Sequence, residues 1–221
     1  MISDKKSKPG TAGYRFVKRT FDILISFIGI FVLIIPMLII MIAIRIESQG
    51  GVLFRQKRVG RKGKEFTIYK FRSMYRSAPP ETATGDLINA ESHITRVGAF
   101  LRKSSLDELP QLFNVLKGDM SLIGPRPLIV SEEKMHNLRN AAGVYTIRPG
   151  ITGWAQINGR DCVSDEQKAA LDTEYLHKIS FAMDVRIVFG TIFTVSTRQG
   201  YAEGRQSERS SDLGDTDFEI A

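Results

Sequence analysis

The sequence predicts an α+β fold, mostly helical, built as a small cytosol-facing domain with a short β-hairpin and carried on one N-terminal membrane helix. Three observations lead there. The stretch "ILISFIGIFVLIIPMLIIMIAI" (Ile23–Ile44) runs 22 residues without a charge, and at about 1.5 Å per residue it reaches roughly 33 Å, enough for a hydrocarbon core of about 30 Å. Val52–Met74 alternates in the β manner around the turn-forming "GRKG". Downstream, apolar residues at helical spacing recur in short segments punctuated by Gly and Pro.

Residues 1–14 are polar and read as a loose arm, and residues 15–47 form the membrane element. A cleaved signal peptide is disfavoured, because the apolar run is too long and no small-x-small site follows Ile44. Lys5, Lys6, Lys8, Arg15, Lys18 and Arg19 precede the run, while Arg45, Arg55, Lys57, Arg58, Arg61, Lys62 and Lys64 follow it. The positive-inside rule then assigns both flanks to the cytoplasm, which one straight helix cannot satisfy. Pro36 removes a backbone hydrogen bond in mid-run and crowds the preceding turn. The expectation is a re-entrant helix bent at Pro36; a kinked span is the alternative, and charge symmetry favours re-entry.

Residues 48–202 form the expected globular domain. Its hairpin puts Phe66, Ile68 and Lys70 on one side and Thr67, Tyr69 and Phe71 on the other. Eight basic residues from Arg55 to Arg72 face only Glu65. Those in or beside the turn, Arg61, Lys62 and Lys64, suit anionic lipid head groups of the inner leaflet. Ser77–Asp86 reads as a loop, and helices are expected over Ile94–Leu101, Pro110–Lys117, Glu132–Gly143 and Asp165–Ile179. "RPGITGWAQINGR" (Arg148–Arg160) is broken by Pro149, Gly150, Gly153 and Gly159 and reads as a shaped loop. The tail, 203–221, is acidic and expected to be disordered.

Composition narrows the function classes. The chain has 221 residues, 43% of them hydrophobic, which suits one ordinary domain with appendages. Cys162 is the only cysteine, so no intrachain disulfide exists and nothing demands an oxidising compartment. Net charge is +7; the tail holds six acids against Arg205 and Arg209, which leaves 29 basic and 18 acidic residues over 1–202, a net of +11. Such a body favours a polyanion, an anionic membrane or a phosphorylated substrate. Phe66, Tyr69 and Phe71 lie among cations as stacking platforms would, but they split between two strand faces, so no nucleic acid partner is expected.

The chemistry centres on "SSLDELPQLFNVLKGDMSLIGPRP" (104–127). Ser105 and Glu108 match the S-x-x-E capping box, but Pro110 would then fall where an interior hydrogen bond is needed. If the helix instead begins at Pro110, Asp107 and Glu108 stand just before its positive end. A carboxylate can attack phosphorus and form an acyl phosphate, provided cations screen the approach of anion to anion. Arg102, Arg126 and a divalent metal are the candidates, with Pro125 and Pro127 stiffening the segment around Arg126. His93, His136 and His177 lack metal-ligand spacing. Asp184 is a lone acid suited to a helix cap or a metal site.

Five ordered blocks, "KRTFD", "FRQKRVGRKGKEFTIYKFRSM", "RVGAFLRKSSLDELPQLFNVLKGDMSLIGPRP", "RPGITGWAQINGR" and "YLHKISFAMDVRIVFGTI", run through roughly residues 18–192. In them the chain resembles the bacterial sugar transferases, the small monotopic polyprenol-phosphate phosphoglycosyl transferases. The resemblance implies transfer of a sugar 1-phosphate from a UDP-sugar to undecaprenyl phosphate, release of UMP, a need for magnesium (Mg2+), and a place in the bacterial inner membrane with the catalytic domain facing the cytoplasm. It implies Asp107 as the nucleophile of a phosphosugar–enzyme ester and Glu108 as its partner, deprotonating or positioning the lipid phosphate. Arg102 and Arg126 match basic positions at the active site, and Asp184 matches an acid near it; Pro125 and Pro127 are expected to bind substrate beside Arg126, and Asp107 with Asp184 to be the metal ligands. The family's re-entrant helix often breaks at Ser-Pro; here the pair is Ile35-Pro36. The competing class is a membrane-anchored basic binding protein without catalysis.

Overall fold

The computed structural model describes residues 10–78, 90–159 and 163–197. The acidic tail, Cys162, and most of the 1–14 arm and of the Ser77–Asp86 loop lie outside them. The first element is a 36-residue helix, α1 (Ala12–Glu47), capped by the Thr11 hydroxyl, which accepts from the Tyr14 amide. It is helical on both sides of Pro36, with about 54 Å of helical rise in all. One stripe, including Asp22, Ser26, Met37 and Ile44, is buried against the rest of the chain. Most of the other large apolar side chains from Phe16 to Ile46 are exposed, as suits a helix whose outer face meets lipid.

The hairpin forms as the alternation predicts. Strand β1 (Leu53–Val59) pairs antiparallel with β2 (Glu65–Phe71), Val59 opposite Glu65 across the Gly60–Lys64 turn. Phe66 and Ile68 pack on Val115 and Met120, whereas Phe71 faces the other way, into the cluster of Met37, Ile44 and Leu101. Helix α2 (Arg96–Lys103) brings Leu101 to the second of these clusters and α3 (Gln111–Lys117) brings Val115 to the first. Pro110 is the N-cap of α3, and Gly118, at φ +95°, ends it in the left-handed conformation glycine tolerates best. Asn114 ties α3 to β2: its side chain accepts from the Tyr69 amide and donates to the Thr67 carbonyl.

"RPGITGWAQINGR" is more ordered than a loop. Strand β3 (Ser121–Ile123) pairs parallel with β5 (Gly150–Thr152), and β4 (Leu128–Ile129) extends the hairpin sheet beside β1. Close approach demands glycine at 150, where a Cβ would meet the Gly124 amide nitrogen at 2.1 Å. Helices α4 (Glu133–Ala141), α5 (Trp154–Ile157) and α6 (Asp165–Lys178) complete the body. A further helix not expected from the sequence, α7 (Phe181–Thr197), turns Phe181, Val185, Val188, Phe189, Ile192 and Phe193 outward. Those positions form one helical face, and Phe181 meets Tyr14 and Phe21 of α1 edge-on, so the apolar surfaces of α1 and α7 join.

Both ends of α1 are tied to the same body. At the start, the "KRTFD" block works residue by residue: Lys18 pairs with Asp184 at 2.8 Å, Arg19 donates to the Val115 and Leu116 carbonyls at the end of α3, and Asp22 accepts from the Leu122 amide. At the finish, Glu47 accepts from the Arg96 and Val97 amides opening α2, while buried Arg72 donates to the Ser48 and Gln49 carbonyls.

Candidate active site

The site begins with the parity of β2. Phe66 and Ile68 point into the core, and Lys70, next in the same row, carries its amine to the acidic pair. Lys70 Nζ donates to Glu108 Oε1 at 2.6 Å and lies 3.9 Å from Asp107 Oδ2. The pair itself occupies one 3-10 turn, Leu106–Glu108. Ser105, at φ 57° and ψ 16°, turns the chain sharply between α2 and that turn, a left-handed conformation that costs an L-residue about 1–2 kcal/mol. Leu106 and Leu109 then pack on the Met37–Ile44 end of α1, and Asp107 is buried at 7% exposure. The Ser105 side chain makes no capping bond, and Glu108 reaches Lys70 instead, so the capping-box alternative is not what this stretch forms.

Arg126 stands exposed between buried Pro125 and Pro127, with Nη1 at 3.4 Å from Glu108 Oε1. Arg102, in the last turn of α2, lies close enough to act on Asp107 electrostatically. Arg58 of β1 joins them; it donates to the Pro127 carbonyl and to Gln56 Oε1. Burial and the neighbouring Arg126 push its guanidinium down to about 10, still charged at neutral pH. Four cations therefore surround two carboxylates, a balance that favours an incoming phosphate.

The two acids are held apart in acidity. Burial pushes the Asp107 carboxyl up, Lys70 pulls it back, Glu108 pushes it up again, and the net result is raised. Glu108 is buried too, but Lys70 and Arg126 overcome that and hold it down at about 2. Environments that separate a carboxyl pair assign the two different work. Glu108 is a fixed anion and a poor base, whereas Asp107 is the more basic oxygen and the better nucleophile.

Asp107, Glu108, Arg102 and Arg126 are thus brought together, with Pro125 and Pro127 framing Arg126. Asp184 is not brought to them. Its Oδ2 accepts from Tyr14 OH at 2.6 Å and Lys18 Nζ at 2.8 Å, and its Oδ1 accepts from Tyr175 OH at 2.7 Å. Those partners belong to the opening turns of α1 and to α6, whereas the turn holding Asp107 packs on the other end of α1. The expected Asp107–Asp184 metal pair is not formed; Asp184 is instead a latch, a buried carboxyl group whose oxygens are satisfied by three donors. Among the described residues no group of three or more His, Cys, Asp or Glu is placed to hold a metal ion.

The chain matches the bacterial sugar transferase family over residues 13–198. It is 40% identical over 204 residues to an uncharacterized sugar transferase, EpsL, of Bacillus subtilis, covering 90% of this chain and 98% of that one. It is 41% identical to UDP-glucose:undecaprenyl-phosphate glucose-1-phosphate transferase of Escherichia coli, covering 81% of this chain and 40% of the relative. A UDP-N-acetylgalactosamine-undecaprenyl-phosphate N-acetylgalactosaminephosphotransferase of Aeromonas hydrophila is also 41% identical, with 85% and 45% covered. The chain thus spans nearly the whole of the Bacillus relative and less than half the length of the other two. It belongs to the bacterial sugar transferase family.

Proposed function

We propose that the chain transfers a sugar 1-phosphate from a UDP-sugar to undecaprenyl phosphate, by way of a phosphosugar ester on Asp107, and so begins assembly of a lipid-linked surface glycan. The observation that carries this reading is a buried, abnormally basic Asp107 set among Lys70, Arg102 and Arg126 at the edge of a membrane element. Two relatives of equal identity are named for different sugars, which points to the part their reactions share, phosphoryl transfer to the lipid phosphate.

In the first step an oxygen of Asp107 attacks the β-phosphorus of the donor. A P–O bond forms to the carboxylate, the bond to the bridging oxygen breaks, and UMP leaves with that electron pair. In the second, an oxygen of undecaprenyl phosphate attacks the same phosphorus and Asp107 departs as the carboxylate. Lys70, Arg102 and Arg126 screen the anions in both steps. Glu108 holds Lys70 and Arg126 in place rather than taking a proton, since an acceptor phosphate is already anionic at neutral pH and Glu108 is held at about 2.

Magnesium fits this donor set in the manner common for phosphate substrates, through one or two carboxylates together with phosphate oxygens. Asp107 would be the carboxylate to share it, since Asp184 is committed to Tyr14, Lys18 and Tyr175. When bound, the ion supplies charge neutralisation at the diphosphate.

For topology, the reading is a helix that enters and leaves the inner leaflet of the bacterial cytoplasmic membrane, bending near Pro36, with the domain in the cytoplasm. Support comes from the anchoring of both ends of α1 on one body and from the basic residues on both flanks. Arg61, Lys62 and Lys64 then meet anionic head groups. Release of UMP from UDP-sugars in vesicles containing undecaprenyl phosphate tests the activity. Salt-sensitive lipid binding without UMP release across a donor panel would instead identify a binding protein.

A further inference from the structure

Helices α4 and α6 lie behind the site, yet a buried ion pair between them reaches it. Arg139 and Asp172 are 3% and 1% exposed. Nε and Nη2 of Arg139 both donate to Asp172 Oδ2, at 2.9 and 2.6 Å, and the remaining arm, Nη1, donates to the backbone carbonyl of Arg126 at 2.6 Å. A buried ion pair is a weak way to gain stability, because desolvating two charges costs about as much as their attraction returns. A rigid guanidinium fork gives direction: once two arms are fixed on a carboxylate, the third points one way.

The direction matters because of what the loop presents. Three successive carbonyls are held by three different elements: Pro125 O accepts from the Gly150 amide of β5 at 2.9 Å, Arg126 O from Arg139 of α4, and Pro127 O from Arg58 of β1 at 3.0 Å. The Arg126 backbone is thereby fixed while its side chain, 49% exposed, reaches over Glu108.

We propose that the Arg139–Asp172 pair is a positioning device for Arg126, setting the angle at which its guanidinium meets the donor diphosphate; this rests on the substrate-binding role given to Arg126 above. The device acts before substrate arrives, so that the loop loses little freedom when the phosphate is clamped.

A double-mutant cycle tests it, with the full chain in vesicles and UMP release as the readout. Arg139→Gln with Asp172→Asn removes both charges, so neither is orphaned. In the parent background that double variant lowers kcat/KM for the UDP-sugar by about 10- to 100-fold, mostly through KM. In an Arg126→Ala background the same change alters kcat/KM by no more than about twofold, because the residue being positioned is gone. Arg139→Lys keeps the ion pair but lacks a fork to reach the Arg126 carbonyl; it gives a smaller loss of the same kind in a chain still folded at the assay temperature by circular dichroism, which keeps the test decisive if the double variant fails to fold. A full loss that persists in the Arg126→Ala background, or Arg139→Lys with parental kinetics, overturns the positioning role and leaves a packing role. Arg126→Ala with parental kinetics would instead remove the substrate role of Arg126, and the device with it.

Discussion

Lys70→Met removes the cation that both acids share while keeping the side chain's length and most of its volume. At an effective dielectric of about 20, unit charges 3.9 Å apart attract by about 4 kcal/mol. Lys70 is only 16% exposed, so solvent screens this little, although Arg102 and Arg126 remain to carry part of the load. At about 1.4 kcal/mol per tenfold, the ceiling on the loss of aspartyl-ester formation is about 1,000-fold, and about 100-fold is expected at neutral pH. The sign of the pH effect follows from the order of influences on Asp107. Burial raises its carboxyl, Lys70 is the largest influence lowering it, and the reactive form is the anion. Without Lys70 the carboxyl rises further, less of it is ionised at any given pH, and the acid limb of the rate moves to higher pH. Single-turnover UMP release without lipid acceptor, measured across pH, reads this directly. An acid limb that stays in place or moves to lower pH refutes the assignment of Lys70 as the counter-charge of Asp107.

Glu108→Gln acts in the opposite sense on the same limb, since it removes a like charge beside Asp107, and the acid limb moves to lower pH. It also costs stability: a carboxyl held at about 2 against an ordinary 4.5 contributes about 3 kcal/mol, fully present above pH 4.5. The melting difference between this variant and the parent therefore closes as pH falls from 4.5 toward 2, in a calorimetric series. Asp184→Asn frees Lys18, Tyr14 and Tyr175 and lowers stability by about 3 kcal/mol, while the magnesium dependence of UMP release stays unchanged; an altered magnesium requirement would make Asp184 a metal ligand after all. Gly13, in the first turn of α1, and Gly51, just beyond its end, are open positions, so with Cys162 replaced by Ser, Gly13→Cys and Gly51→Cys both react with an impermeant thiol reagent from the same face of sealed vesicles. Labelling from opposite faces would make α1 a span.

The elements governed by periodicity were legible in the sequence: the 22-residue run, the hairpin turning at Gly60–Lys64, and the helix after Pro110 ending at Gly118. The acidic pair was legible too, because Pro110 argued against the capping box that would have explained it away. Lys70 was half visible. It shares β parity with Phe66 and Ile68, the buried row, but eight cations in one stretch gave no local sign of which turned inward. Arg58 was hidden for the same reason, and only the pairing of β4 beside β1 brings it to Pro127. Asp184 misled because a lone acid after an apolar stretch looks alike whether it meets a metal or three donors from α1 and α6; the distinction depends on contacts 166 and 170 positions apart. Helix α7 escaped because its outward face is as apolar as its inward one, so it lacks the polar stripe that marks a surface helix in water.

The proposed reaction turns on a phosphosugar carried by Asp107. A UDP-sugar labelled in its β-phosphate, incubated with the full chain in vesicles without undecaprenyl phosphate, should leave label on the protein in a peptide containing Asp107. Adding the lipid should discharge it into the organic phase, and Asp107→Asn should take up none while still inserting in the membrane. Turnover to lipid product with no labelled protein at any time, or label retained by Asp107→Asn, would contradict the account and favour direct displacement in a ternary complex or a different nucleophile.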